Sequence, residues 1–212
     1  MKRPTILMTT GFALALAGGV VVAQEHEHDH GAAAHDARAG ESTTTLLYNQ
    51  ADLMFLYNMS VHHQQAVVMA RLVPERSNRE VFIQYAGYVG RAQAAEIDLM
   101  QSLLKLAADR GLQLPEGYKL DGDPPMKGML SKAQMAALEA SKGAEFERLW
   151  LEGMIYHHQG AVDMAFAQQD QQLANGRRPY ALNVLVEDIL EEQRGEITKM
   201  NNWLEEWGLS RR

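Results

Sequence analysis

Two twelve-residue stretches of this 212-residue chain decide its fold: residues 59–70 read MSVHHQQAVVMA, and residues 154–165 read MIYHHQGAVDMA. Eight of the twelve positions are identical at an offset of 95 residues. Further along the chain, residues 93–100 and 193–200 share the pattern Gln-x-x-Glu-Ile-x-x-Met. This repetition indicates a duplicated helical hairpin, and it predicts that matching helices pack around one core.

Proline, glycine and capping residues mark the ends of the helices, and no stretch shows the alternation typical of strands. The second long helix is predicted to follow a capping box of Ser77 and Glu80. We expect an all-α four-helix bundle over residues 46–210, built from two repeated helical hairpins. The predicted halves are 46–111 and 141–209, and the crossover between them is 112–140, with a short helix over 132–140.

The first 45 residues have a different character. Lys2 and Arg3 precede an apolar stretch that ends in small residues before a cleavage site after Ala23, which is typical of a signal peptide over 1–23. An uncleaved membrane anchor is the alternative, but the stretch is short and broken by glycines. Residues 24–45 are predicted to be a disordered His-rich tail, and we expect export to the periplasm or secretion. Imidazoles of the tail that could bind Cu(II), Zn(II) or Ni(II) are His26, His28, His30 and His35.

Composition excludes several classes of function. The chain has no Cys, so it lacks disulfides, thiolate metal sites and cysteine nucleophiles. Its formal net charge is −7, and loss of the two basic residues of the signal peptide makes it −9, which argues against nucleic acid as a partner. No nucleophile elbow, phosphate-binding loop or dinucleotide motif occurs. We expect no membrane association after cleavage, and the oligomeric state stays open.

The repeated residues place imidazole, thioether and carboxylate groups inside the predicted bundle. Burying such groups costs free energy unless they are paired or bound to an ion, so their duplication favours a metal site. On the partner helices, Glu96 and Glu196 are expected near the histidine pairs, as metal ligands or as hydrogen-bond acceptors. The candidate ligands in the bundle are His62, His63, His157, His158, Met59, Met69, Met154, Met164, Glu96, Glu196, Met100 and Met200.

Ligand softness selects among metals. Thioether with imidazole suits Cu(I), or Ag(I) as its mimic, whereas zinc would use His and Glu and leave the methionines unexplained. A carboxylate di-iron centre needs Glu-x-x-His on two helices, and that spacing occurs only in the tail, for example at Glu25 and His28. A His–Glu hydrogen bond in each half would also explain the pattern without metal.

The His-His-Gln-x-Ala-Val-x-Met-Ala segments resemble the bacterial family catalogued as domain of unknown function 305, and the resemblance covers roughly residues 49–209. It implies a ferritin-like bundle, and the CopM-like periplasmic members of that family imply copper binding and copper resistance. By this resemblance the copper ligands fall on the repeated His and Met residues of 59–69 and 154–164. The halves are not interchangeable, because Gln65 is matched by Gly160 and Val68 is matched by Asp163.

Our main hypothesis is an exported, non-enzymatic protein that sequesters copper or delivers it to another exported copper-handling protein. The bundle is expected to favour Cu(I) and the tail Cu(II). The alternatives are a metal-dependent redox enzyme with its site in the bundle core, and a structural bundle without metal.

Overall fold

The computed structural model describes residues 48–210 and folds them into five α-helices. The helices are α1 (Gln50–Leu72), α2 (Glu80–Ala108), α3 (Lys132–Ala140), α4 (Gly143–Ala174) and α5 (Tyr180–Glu206). Within the described residues there is no β-strand, which confirms the all-α prediction. The predicted signal peptide and His-rich tail lie outside these residues. Of the five helices, none has the length and apolar content that a membrane span requires.

The starts of the helices show where sequence signals of capping hold and where they fail. Asn49 caps α1 through a capping box, as its polar side chain allows. The predicted capping box of Ser77 and Glu80 is wrong, because α2 begins after Arg79. The Ser77 hydroxyl donates instead to the carboxylate of Glu147 on α4 at 2.6 Å. The Ser77 side chain, which the local sequence assigned to a helix end, therefore makes a tertiary contact with a buried carboxylate.

The bundle consists of two antiparallel hairpins that meet along α1 and α4. α1 pairs with α2 through a short 3₁₀ turn at Val73–Glu75, and α4 pairs with α5. Along the α1–α4 pair, the residue numbers of α4 fall as those of α1 rise, so these two helices are antiparallel. The hydrogen bonds that define this alignment link Asp52 to Gln168, His62 to His157, and Met69 to Trp150.

Apolar side chains form two clusters, which occupy opposite ends of the α1–α4 pair. The first cluster includes Leu56 and Leu185, and the second is built around Phe82 and Trp150, whose rings meet edge to face at 5.0 Å. Full burial of a side chain of this size stabilises the fold by about 1.5–3 kcal/mol. Between the two clusters lies the middle of α1 and α4, where both histidine pairs are found.

The crossover between the hairpins is held against α1 and α4 by the positions at which the two halves differ. The amide side chain of Gln65 on α1 donates to the carbonyl of Leu130 at 2.8 Å and accepts from its N–H at 2.6 Å. On α4, Asp163 pairs with Lys127 at 2.5 Å. Gly160 allows the crossover backbone to touch α4, because a Cβ built there would lie 2.5 Å from the Cα of Gly128. Three of the residues at which the halves differ thus contact the crossover.

We predict that Gly160→Ala destabilises the protein by about 1–3 kcal/mol, because the added methyl group overpacks a backbone-to-backbone contact. The measurement is urea unfolding followed by circular dichroism. Gly195→Ala is the matched control, since a Cβ there meets nothing within 4 Å. In a helix interior that control is expected to be neutral or to stabilise by up to about 1 kcal/mol. Equal effects of the two substitutions would contradict the close contact.

Candidate metal centre

Four imidazoles meet at the middle of the α1–α4 pair. His62, His63, His157 and His158 are fully buried. The rings of His62 and His157 meet across the helix pair, with their centroids 3.8 Å apart and their planes tilted by 38°. Within each helix the adjacent rings are about 6 Å apart: 6.3 Å in α1 and 6.0 Å in α4. Because α1 and α4 run antiparallel, one duplicated motif brings both copies to the same level of the bundle.

Each hairpin supplies a carboxylate to one of its own histidines. His63 Nε2 is hydrogen-bonded to Glu96 Oε2 at 2.7 Å, and His158 Nε2 is hydrogen-bonded to Glu196 Oε2 at 2.6 Å. The structure therefore places both glutamates beside the imidazoles, as expected from their matched positions on α2 and α5. A carboxylate in this position fixes the orientation of a ring and makes its other nitrogen a better ligand.

The remaining ring nitrogens have few protein partners. His157 Nε2 donates to the backbone carbonyl of His62 at 2.9 Å. Five buried imidazole nitrogens have no hydrogen bond: both of His62 and the Nδ1 atoms of His63, His157 and His158. A neutral ring that donates from Nε2 carries its lone pair on Nδ1, which is the form in which imidazole binds a metal. The cluster therefore presents free lone pairs inside a dry core.

Burial lowers the pKa values of three imidazoles of the cluster. Burial, together with the neighbouring imidazoles, lowers the pKa of His62 and of His63 to about 3. The same causes hold the pKa of His157 well below its ordinary value. Burial and the nearby Glu196 raise the pKa of Glu96 to about 7. Near neutral pH these three imidazoles are therefore in the form that can bind a metal.

The structure divides the predicted methionine ligands between the two apolar clusters. Met59, Met100 and Met164 belong to the first cluster, and Met69, Met154 and Met200 belong to the second. Five of the six are fully buried, while Met164 is partly buried. They therefore flank the imidazoles on both sides and fill core space, as methionine commonly does. Their role as ligands stays a prediction.

Two buried glutamines lie one helical turn from the carboxylates that hold the histidines, and the sequence pattern did not mark them as site residues. Gln93 and Gln193 are 2% and 1% exposed, one turn before Glu96 and Glu196. Oε1 of Gln93 and both amide atoms of Gln193 have no hydrogen-bond partner. The repeated Gln-x-x-Glu-Ile-x-x-Met pattern was the sequence feature that could have identified these glutamines. Glutamine is so common on helix surfaces that type and spacing alone do not mark it as buried.

A groove of about 670 Å³ between α2 and α5 leads towards this centre. Tyr85 and Tyr88 line it from α2, and Asp188, Glu192 and Glu196 line it from α5. The groove thus places acidic side chains between solvent and the carboxylate that holds His158. Such a surface attracts cations and repels anions.

Among residues 48–210, no three His, Asp or Glu side chains are arranged as a ready-made metal site. The reason lies in the hydrogen bonds, because the carboxylates face Nε2 atoms and leave the opposite nitrogens free. A metal in this cluster would take imidazole nitrogens and a further ligand of another kind, or would bind after small rotations of the rings.

Comparisons with known proteins agree on the family. The family described as "Domain of unknown function (DUF305)" matches residues 52–204, more than half of the chain. The chain is similar to a candidate secreted DUF305 protein from Streptomyces coelicolor, with 33% identity and a TM-score of 0.62 over 75% of this chain and 94% of that chain. It is also similar to a DUF305 fragment from Deinococcus radiodurans, with 30% identity and a TM-score of 0.64 over 74% and 97% of the two chains.

A third similar structure carries a metal. CopM in its Cu(I)-bound form is 26% identical, with a TM-score of 0.56 over 74% of this chain and 96% of CopM. A silver-bound form of CopM has 26% identity and a TM-score of 0.53, over 74% and 96% of the two chains. No protein of curated function matches this chain in sequence.

The pKa shifts predict that the metal-free protein loses stability in mild acid. In the unfolded chain histidine titrates near 6.5, whereas buried His62, His63 and His157 stay neutral to much lower pH. Below about pH 6.5 the unfolded state therefore binds more protons, and the free energy of unfolding falls as the pH falls. Carboxyl groups with raised pKa values act in the opposite direction, namely Glu96, Asp52 and Glu192, and among them burial and Glu196 raise the pKa of Glu96 to about 7. The lowered pKa values of the three imidazoles are expected to outweigh them.

The measurement is urea unfolding of chelator-treated protein between pH 4 and 7.5. Substitution of His62 by Gln removes one titrating imidazole, so the pH slope should fall by up to about 1.4 kcal/mol per pH unit between pH 4 and 6. A free energy of unfolding that is flat across this range in the unaltered protein would contradict buried, neutral imidazoles.

Proposed function

The chain belongs to the DUF305 family, and we propose that it is an exported copper-binding protein that sequesters the metal or passes it on. The imidazole cluster would hold the ion in the bundle, and the repeated methionines are candidate soft ligands around it. In this proposal the signal peptide over 1–23 directs export. Copper is cargo, and no catalytic role is assigned to the protein.

The observation that carries the proposal is the group of five buried imidazole nitrogens without hydrogen bonds. A buried polar atom that lacks a partner costs about 1–3 kcal/mol, so a purely structural core would be expected to remove such groups or pair them. Metal coordination satisfies several of them at once. Orientation of His63 and His158 by carboxylates supports the same reading, because metal-binding imidazoles are commonly held through their other nitrogen.

The choice of copper rests on chemistry and on similarity. Neutral imidazoles with methionines on both sides favour Cu(I) over harder ions, and Ag(I) would share the preference. The similarity to CopM in its Cu(I)- and silver-bound forms supports the same choice. Zinc is the competing ion, since it would bind imidazole and carboxylate without using the methionines.

One observation favours a second candidate, a bundle whose polar centre serves structure alone. The two His–Glu hydrogen bonds are already formed, and each satisfies one nitrogen and one carboxylate without an ion. In that case the protein would bind copper no more tightly in the bundle than a surface histidine does. The metal titration described next separates the two candidates.

We predict that replacing all four bundle histidines by glutamine abolishes tight Cu(I) binding in a chain that lacks residues 24–45. Glutamine keeps much of the side-chain volume but has no imidazole nitrogen. The measurement is competition with a chromophoric Cu(I) chelator, with circular dichroism to check that the variant is helical. Glu147→Gln is the control, because it alters a buried polar residue of α4 whose partners are Ser77 and Arg79 and not a histidine. Undiminished affinity in the fourfold variant would remove these imidazoles from the ligand set.

The tail generates a separate prediction about Cu(II). Cleavage after Ala23 would leave Gln24-Glu25-His26 as the new N-terminus. Its amino group, two backbone amides and the third-position imidazole can surround Cu(II) with four nitrogens in a plane, a geometry that Cu(II) prefers. We expect deletion of residues 24–45 to remove the tightest Cu(II) site and to leave Cu(I) affinity unchanged, as measured by absorption spectroscopy and chelator competition. A Cu(II) spectrum that His26→Ala does not alter would contradict this site.

A further inference from the structure

The crossover segment 126–130 covers the line along which α1 and α4 meet, at the level of the imidazoles. A Cβ on Gly128 would lie 3.0 Å from the backbone carbonyl of His157. The backbone of Lys127 lies beside the ring of His62 without forming a hydrogen bond to it. At the other end of the segment, Leu130 is fixed to Gln65 by two hydrogen bonds. The segment is therefore held directly beside the His62–His157 pair.

The two imidazoles beneath this segment differ from the other two. His63 and His158 are each held by a carboxylate, whereas His62 and His157 have none. Neither ring nitrogen of His62 has a hydrogen bond, and Nδ1 of His157 also lacks one. Both rings are fully buried, and their centroids are 3.8 Å apart. Three free nitrogens thus lie close together on the side of the bundle that the crossover covers.

The same crossover segment carries two methionines that have no counterpart in the repeat. Met129 is 7% exposed, yet it belongs to neither of the two apolar clusters. Met126 precedes it by three residues and is half-buried. All six methionines in the repeated motifs pack in those clusters instead. Met129 is therefore a buried thioether one residue from a glycine that touches the His157 backbone.

We propose that Met129 supplies a thioether ligand to a Cu(I) ion held by His62 and His157, with Met126 as a second sulfur within reach of the same ion. This inference rests on the proposed function and adds ligands that lie outside the duplicated motif. The bundle centre would then be asymmetric. One side carries the carboxylate-held imidazoles, and the other side, beneath the crossover, carries the two free imidazoles and the sulfur ligands.

The chemistry of Cu(I) agrees with this arrangement. A soft monovalent ion in a dry site binds neutral nitrogen and thioether sulfur, and it brings only one positive charge into the core. A hard divalent ion would need the carboxylates, which are engaged with His63 and His158. The thioether would also distinguish Cu(I) from Zn(II), for which sulfur of this kind is a poor ligand.

The test compares Met129→Leu and Met126→Leu with Met135→Leu in the protein that lacks residues 1–45. Leucine keeps the apolar volume, so all three variants are expected to fold. Met135 on α3 is the control, because it packs against the second apolar cluster. Chelator competition gives Cu(I) affinity, and X-ray absorption at the copper edge counts sulfur and nitrogen neighbours of the bound ion.

We expect Met129→Leu to lose a sulfur neighbour and to weaken Cu(I) binding by about tenfold or more, because loss even of an outer partner costs 10–100-fold. Zn(II) affinity should not change. An unchanged sulfur count with unchanged affinity in Met129→Leu overturns the inference and leaves copper binding by the imidazoles intact. Equal loss in Met135→Leu also overturns it, because the effect would then be one of packing. If the unaltered chain binds no Cu(I), the proposed function fails as well.

Discussion

The constraint on which the structure depends is the burial of four imidazoles between two antiparallel helices. Uncharged polar groups in an apolar core require partners, and the neighbouring helices supply some of them. Glu96 and Glu196 come from α2 and α5, and each can reach its histidine because its own hairpin is antiparallel. The apolar clusters at both ends exclude water, and burial lowers the pKa values of His62, His63 and His157. The polar centre thus fixes which helix faces must turn inward.

Duplication explains the symmetry of the bundle, and the crossover explains its departures from symmetry. The segment that joins the two hairpins must lie on one side of the bundle. The two hairpins therefore have different surroundings, even where their sequences repeat. Within the repeated motif the halves differ at four matched positions, and at two of these positions Gln65, Gly160 and Asp163 contact that segment. These differences between the repeats follow from the way the hairpins are connected.

Repetition made much of this structure predictable from sequence. It gave the number of long helices, their pairing and the proximity of the glutamates to the histidines, because a duplicated motif with 3.6-residue periodicity leaves few alternatives. Repetition predicted less of the structure where tertiary contacts override local sequence signals. Ser77 is a good capping residue, but buried Glu147 takes its hydroxyl. Burial of Gln93 and Gln193 depends on the packing of four helices, and helix periodicity within one segment does not reveal it. The docking of the crossover depends on contacts between residues about 30 to 65 positions apart, for which no local pattern exists.

The hydrogen bonds along α1 and α4 have a further consequence. Asp52 with Gln168, His62 with His157 and Met69 with Trp150 are spaced along the whole pair. Sliding one helix past the other by a single turn, about 5.4 Å, would separate all three pairs at once and leave a carboxylate, an imidazole and an indole without partners inside the core. The two helices therefore have one register, which these three contacts fix. A bound ion would be accommodated by rotation of side chains. Such a scaffold keeps its helix backbones at fixed relative positions and leaves only side chains near its midpoint free to adjust.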